Sequence, residues 1–99
     1  MEESYGNCVE KMKLFYEFEH YSKNMIGVHE RREFNLRKTY VSTYCIYSYS
    51  TIICFINYFD KIYCINPYNY SRTTSKQTTL IRRAAEYWER IGFSRVLWF

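Results

Sequence analysis

The chain has 99 residues, 47% of them hydrophobic, and a formal net charge of +4. That size supports one domain, residues 1–99, with a single modest core and no second unit. The longest apolar run, Ile52 to Phe59, is interrupted by Asn57 and falls far short of the roughly 20 residues of a spanning helix, so no membrane span or membrane partner is expected.

The composition is aromatic, with twelve Tyr and seven Phe against three Gly and one Pro. The excess of Phe, Tyr, Ile, Asn and Lys follows AT-rich codons, which lowers the value of the tyrosine count as a binding signal. The opening stretch MEESYGNC is acidic where a signal peptide is basic, and no apolar run follows it. The chain is therefore expected to stay in the cytosol, with its thiols reduced.

From Met12 to Glu19 apolar and charged residues alternate: Met12, Leu14, Tyr16 and Phe18 against Lys11, Lys13, Glu17 and Glu19. Period two predicts a half-buried strand, while Phe15 interrupts the pattern and leaves a helix as the alternative. Residues 22–39 are charged and weakly periodic and read as a loop with, at most, a short irregular strand.

Residues 40–66 are dominated by Tyr, Ile, Val, Thr and Phe, the residues that fit a pleated, half-buried surface. Breaks at Ser48-Tyr49-Ser50 and at Asp60-Lys61 divide them into three strands of an antiparallel meander, closed by Asn66-Pro67. The strand at 12–19 joins this sheet.

The helix at 74–91 has the strongest pattern. Thr74 and Gln77 have the spacing of a capping box. Leu80, Ile81, Ala84, Ala85, Trp88 and Ile91 recur at helical steps, and Gly92 is placed to end the helix. On the opposite face Arg82, Glu86 and Arg90 are spaced to pair at i, i+4. The tail FSRVLWF either packs as a last strand or docks on a partner. The fold expected is α+β: an antiparallel sheet of three to five strands with one C-terminal amphipathic helix packed on a face.

Charge is unevenly distributed. Residues 1–39 balance and so do 40–71, so the whole net charge lies between Arg72 and Arg95. Tyr70, Arg72, Lys76, Arg82, Arg83 and Arg90 are therefore the candidate partner-binding residues. The hydroxyls of Ser71 to Ser75 precede the helix start, where free N–H groups attract anions, but capping and turn formation account for them without a ligand. The glycines of a nucleotide cradle are absent.

Cys8, Cys45, Cys54 and Cys64 lack the close paired spacing of metal ligands and read as small hydrophobes. Neither His20 nor His29 belongs to a recognisable triad or zinc pattern. No catalytic residue, metal or cofactor is expected.

Ser48-Tyr49-Ser50-Thr51-Ile52-Ile53, then Tyr63 and Asn66, then Tyr70-Ser71-Arg72-Thr73-Thr74-Ser75-Lys76 resemble the signature of a family of small, uncharacterised bacteriophage proteins. The match spans roughly residues 40–85. Ile52 stands where such proteins often carry Pro, and Gln77 where they often carry His. The resemblance implies a phage origin and a strand-strand-helix unit but no established activity. A protein of that origin is expected in the cytoplasm of the bacterial host. On this footing the expected function is a small non-enzymatic inhibitor of a host anti-phage defence component. That component is a protein such as a CRISPR effector, or its nucleoprotein complex. The alternative is a phage nucleic-acid-binding accessory protein. A homodimer through a sheet edge or the apolar tail is a further expectation.

Overall fold

The computed structural model describes residues 2–20, 22–34, 39–67 and 72–97. They form β1 (Glu2–Glu3), α1 (Tyr5–Lys13), β2 (Phe18–His20), β3 (Met25–Phe34), β4 (Thr39–Ser48), β5 (Thr51–Asn57), β6 (Ile62–Ile65), α2 (Arg72–Arg90) and β7 (Ser94–Arg95). The seven strands make one sheet in sequence order. β2 through β6 pair antiparallel, as a meander must. The two outermost pairs, β1 with β2 and β6 with β7, are parallel.

The fold is thus α+β, but the sheet is larger than three to five strands, mixed rather than purely antiparallel, and flanked by a second helix. A parallel pair needs a crossover connection, and α1 and α2 supply one each. Both crossovers step the same way along the sheet from strands of the same direction. The right-handed rule then places both helices on one face. They meet there: Cys8, Val9 and Met12 of α1 and Leu80, Ile81, Ala84, Ala85 and Trp88 of α2 share one buried cluster with Tyr44, Ile46, Cys54, Ile56, Tyr63 and Ile65 of the sheet. The alternate residues Cys45, Phe55 and Cys64 form a smaller buried cluster on the opposite face.

The strand expected at 12–19 is instead the end of a helix. Ser4 caps α1, its hydroxyl accepting the Asn7 N–H at 3.4 Å. The helix stops in a double turn: Phe15 N–H reaches the Met12 carbonyl at 3.1 Å and Tyr16 N–H the Lys11 carbonyl at 2.9 Å. This is the hydrogen-bond pattern of a Schellman motif, with Phe15 in the left-handed position (φ 57°) that usually belongs to glycine. Met12 is buried in α1 and Phe18 in β2, so the sequence alternation spans a helix end, a turn and a strand. Within the stretch 22–39, Met25–Phe34 form a strand rather than a loop, because β3 pairs along its whole length with β4, from Met25↔Ser48 to Phe34↔Thr39. Residues 35–38 lie outside the described residues.

The meander follows the expected breaks. Tyr49-Ser50 turns β4 into β5, with Ser48 and Thr51 paired across it and a bulge beside Ile46 and Tyr47. At the next turn the Asn57 side chain accepts the N–H groups of Phe59 (3.0 Å) and Asp60 (3.2 Å), and Lys61 takes a left-handed φ of 53°. Such side-chain-to-backbone bonds are why Asn initiates turns.

α2 begins at Arg72, two residues before Thr74. Gln77 is fully buried and its amide donates to the Asn24 carbonyl (3.0 Å) and side-chain oxygen (3.2 Å), so the capping box does not form. Thr73, Thr74 and Ser75 lie inside the helix rather than before it. Gly92 ends the unit at φ 108°. Ile91 is 44% exposed and does not extend the buried stripe. Within the tail Ser94–Arg95 form a strand, with Ser94 N–H and Val96 N–H bonding the Lys61 and Tyr63 carbonyls at 2.9 Å each. Leu97 is exposed, and Trp98 and Phe99 lie outside the described residues.

Candidate functional site

α2 exposes Lys76, Arg82, Arg83, Glu86, Glu89 and Arg90 while burying the opposite stripe. The pairing expected of Arg82, Glu86 and Arg90 does not form: among the described residues no ion pair joins these side chains. Glu89, the other helix acid, is turned to the sheet, where the Tyr63 hydroxyl donates to its carboxylate. Burial, with Glu89 beside it, raises the Tyr63 pKa. The arginines of the outer face therefore keep their charges available.

The expected contact residues do not form one patch. Arg83 and Arg90 line a groove of about 390 Å³ between the two helices, with Val9, Glu10, Lys13 and Tyr87 along its walls. Lys13 is engaged there by Glu10 at 3.1 Å. Arg82 lies outside that groove. Lys76, near the start of the helix, sits over the Tyr5 ring at 4.9 Å, a cation–π contact. Arg72 occupies the first position of α2, and Tyr70 lies outside the described residues.

Lys76 belongs to a polar cluster that was not foreseen. The Tyr5 ring stacks on His20 at 3.7 Å between centroids, and the Tyr5 hydroxyl donates to the Asn24 side chain at 3.3 Å. His20 is buried, with Ser22 Oγ 2.7 Å from Nδ1. Burial, then the Lys76 charge, lowers its pKa below the ordinary 6.5. These contacts pin α1, the β2–β3 turn and the start of α2 together.

At the opposite end of the molecule His29 holds a second cluster. Its Nε2 lies 2.7 Å from the Phe15 carbonyl, and its Nδ1 lies 2.6 Å from the Tyr58 hydroxyl. A carbonyl only accepts, so Nε2 carries the proton and Nδ1 accepts from Tyr58. Glu17 accepts the His29 backbone N–H at 2.9 Å. Phe15 packs against the rings of Tyr44, Tyr58, Trp88 and Phe93, and the Tyr44 hydroxyl donates to the Tyr16 carbonyl at 2.7 Å. Burial is the main cause that raises the pKa of both Tyr44 and Tyr58. Leu14, Tyr16 and Phe59, in the two turns that converge on Phe15, are 52%, 58% and 78% exposed. Nothing local in the sequence marks this cluster, because its members are 14 and 29 residues apart and meet only when β3 and β5 flank β4.

The four cysteines are buried and unbridged. Among the described residues no group of His, Cys, Asp and Glu is arranged to hold a metal ion, and no helix is long and apolar enough to cross a membrane.

The chain belongs to a family of unknown function, DUF8033, whose model matches residues 10–86. That span leaves out residues 1–9 and 87–99, with them β1, the first five residues of α1, the last four of α2 and β7. No curated protein and no solved structure matches the chain.

Proposed function

For this member of a family without an assigned activity, we propose a binding role: a small non-enzymatic protein that presses the exposed face of α2 against an acidic surface of a partner protein. The partner class we favour is a component of host anti-phage defence, such as a CRISPR effector or its nucleoprotein complex, which the protein inhibits in the host cytoplasm. The observation that carries the reading is that Arg82, Arg83 and Arg90 are exposed without the intrahelical ion pairs their spacing invites. Arginine is favoured at contact surfaces because its planar fork binds carboxylates in two places. The phage-like motif over residues 40–85 and the small size support the defence-inhibitor class.

Nucleic-acid binding is the second reading, because the same cations suit phosphates. Glu86 on the same face and the modest charge of +4 favour a protein surface. Self-association through the β7 edge has little backbone to pair, since that strand is two residues long.

The test is affinity capture of the tagged protein from phage-infected host lysate, with and without nuclease, read by mass spectrometry. One host protein retained after nuclease supports the inhibitor reading. Recovery that vanishes with nuclease transfers the helix face to nucleic acid. The double substitution Arg82→Glu and Arg83→Glu keeps the fold, since both side chains are exposed, and abolishes capture. Undiminished capture by that variant removes the helix face from consideration.

A further inference from the structure

Tyr58, His29 and Phe15 have the arrangement of a hydroxyl nucleophile beside an oriented base. Burial raises the Tyr58 pKa, so the hydroxyl stays protonated at rest and can react only as the base removes its proton. Such a site needs a hydroxyl within hydrogen-bond reach of a base, and a third group that orients the base. Here the Tyr58 hydroxyl donates to His29 Nδ1 at 2.6 Å, and the Phe15 carbonyl receives the Nε2 proton at 2.7 Å. The carbonyl fixes the tautomer that leaves Nδ1 free to take a proton. Phe15 can present that carbonyl because it occupies the left-handed position of the α1 terminus (φ 57°). The Glu17 carboxylate accepts the His29 backbone N–H at 2.9 Å and so holds the strand position from which the imidazole projects. His29 is exposed and Tyr58 half-buried, so the pair is reachable from solvent.

We propose that Tyr58 is a nucleophile that takes up an acyl group from a neutral activated ester or thioester, with His29 as its general base. The class of donor follows from the surroundings. Glu17 sets a negative charge beside the pair, which repels an anionic phosphoryl donor, and the Phe15 and Tyr44 rings pack around it at 5.2 Å from Tyr58 and 5.3 Å from His29. In the step, Tyr58 Oη forms a bond to the acyl carbonyl carbon while its proton passes to His29 Nδ1. The bond from that carbon to the leaving aryloxide or thiolate breaks, and the leaving group departs with the electron pair. It then recovers the proton from His29 directly or through solvent. The product is an O-acyl tyrosine, formed once per chain without turnover, so the reaction is compatible with a binding role and independent of it.

p-Nitrophenyl acetate is the probe, with p-nitrophenolate release followed by absorbance and the acetylated residue mapped by peptide mass spectrometry. Exposed Tyr49 and Tyr16, at 68% and 58%, serve as internal references within the same folded molecule. A positioned base raises reactivity by about a hundredfold or more, so the expected result is one acetyl group per chain, on Tyr58, about a hundredfold faster than on Tyr49. Tyr58→Phe eliminates the fast phase. His29→Gln retains a donor for the Phe15 carbonyl but no basic nitrogen, and reduces Tyr58 to the Tyr49 rate. Acetylation spread over Tyr16 and Tyr49 as fast as over Tyr58 in the unmutated protein overturns the proposal. So does a folded His29→Gln variant that labels Tyr58 at full speed. The internal comparison decides the matter even where a variant fails to fold.

Discussion

Replacing Trp88 with alanine tests whether the two helices are joined by one side chain. Trp88 is fully buried, stacks on Phe15 at 5.6 Å and meets Tyr63 edge-on at 5.4 Å. Its indole N–H donates to the Met12 carbonyl at 3.1 Å, so it reaches from α2 both to the sheet and to α1. A buried indole hides ~200 Å², which at ~25 cal/mol per Å² amounts to ~5 kcal/mol. That figure is an upper value because the unfolded chain already hides part of this area. Measured large-to-small replacements of this kind cost ~3–5 kcal/mol. Losing the indole N–H adds little, since the Met12 carbonyl keeps the Phe15 N–H at 3.1 Å.

Against a total stability of ~5–15 kcal/mol for a domain of this size, Trp88→Ala leaves the protein close to unfolding. Trp88→Phe keeps most of the ring and costs ~1–2 kcal/mol, made up of the lost hydrogen bond and a smaller gap. The assay is urea denaturation followed by far-UV circular dichroism, because the substitution removes one of the two tryptophans. A loss under ~1 kcal/mol for Trp88→Ala, well below the usual cost of such a cavity, refutes the reasoning, because the helices would then be held without it.

Three further outcomes follow from other positions. At Gly27 a Cβ would run into the Phe18 ring and come within 2.5 Å of the Tyr44 hydroxyl. Gly27→Ala therefore costs ~1–3 kcal/mol by overpacking, measured as a fall in urea midpoint, and an unchanged midpoint contradicts the close approach. His20 has a folded pKa below 6.5, so between that value and its folded one the unfolded chain binds more protons and stability falls as pH falls. The melting temperature should drop as pH falls through 6.5, less so in His20→Gln, and parallel curves for the two proteins discount His20. All four cysteines are buried, and burial pushes the thiol of Cys54 well up and that of Cys64 to about 11. A colorimetric thiol reagent at about pH 8 should find no fast thiol in the folded protein and four after unfolding. A fast equivalent in the folded state shows that one of these sites opens.

Local chemistry was enough to determine the meander and the long helix. Residues 40–66 carry β-formers with turn residues at 48–50 and 60–61, and neighbouring strands need only short turns to pair. α2 is 19 residues long, long enough for its apolar stripe to be read. α1 has nine residues, and its buried Cys8, Val9 and Met12 run into the alternation of Leu14, Tyr16 and Phe18. The false period was broken by a left-handed Phe15 that no propensity favours.

β3 looked like a loop because its charges mask a strand that exists through pairing with β4. Pairing with a neighbour also created the parallel edges, since β1 and β7 are two residues each and have no pattern of their own. The same limit applies to the sites. The sequence by itself determined that cations gather on α2, because charge can be counted along a chain. Only the tertiary structure decided that the helix acids leave the arginines unpaired, that Lys76 rests on Tyr5, and that His29 lies between Tyr58 and Phe15. Each of these is a distance between segments far apart in the chain, set by which strands and helices pack together.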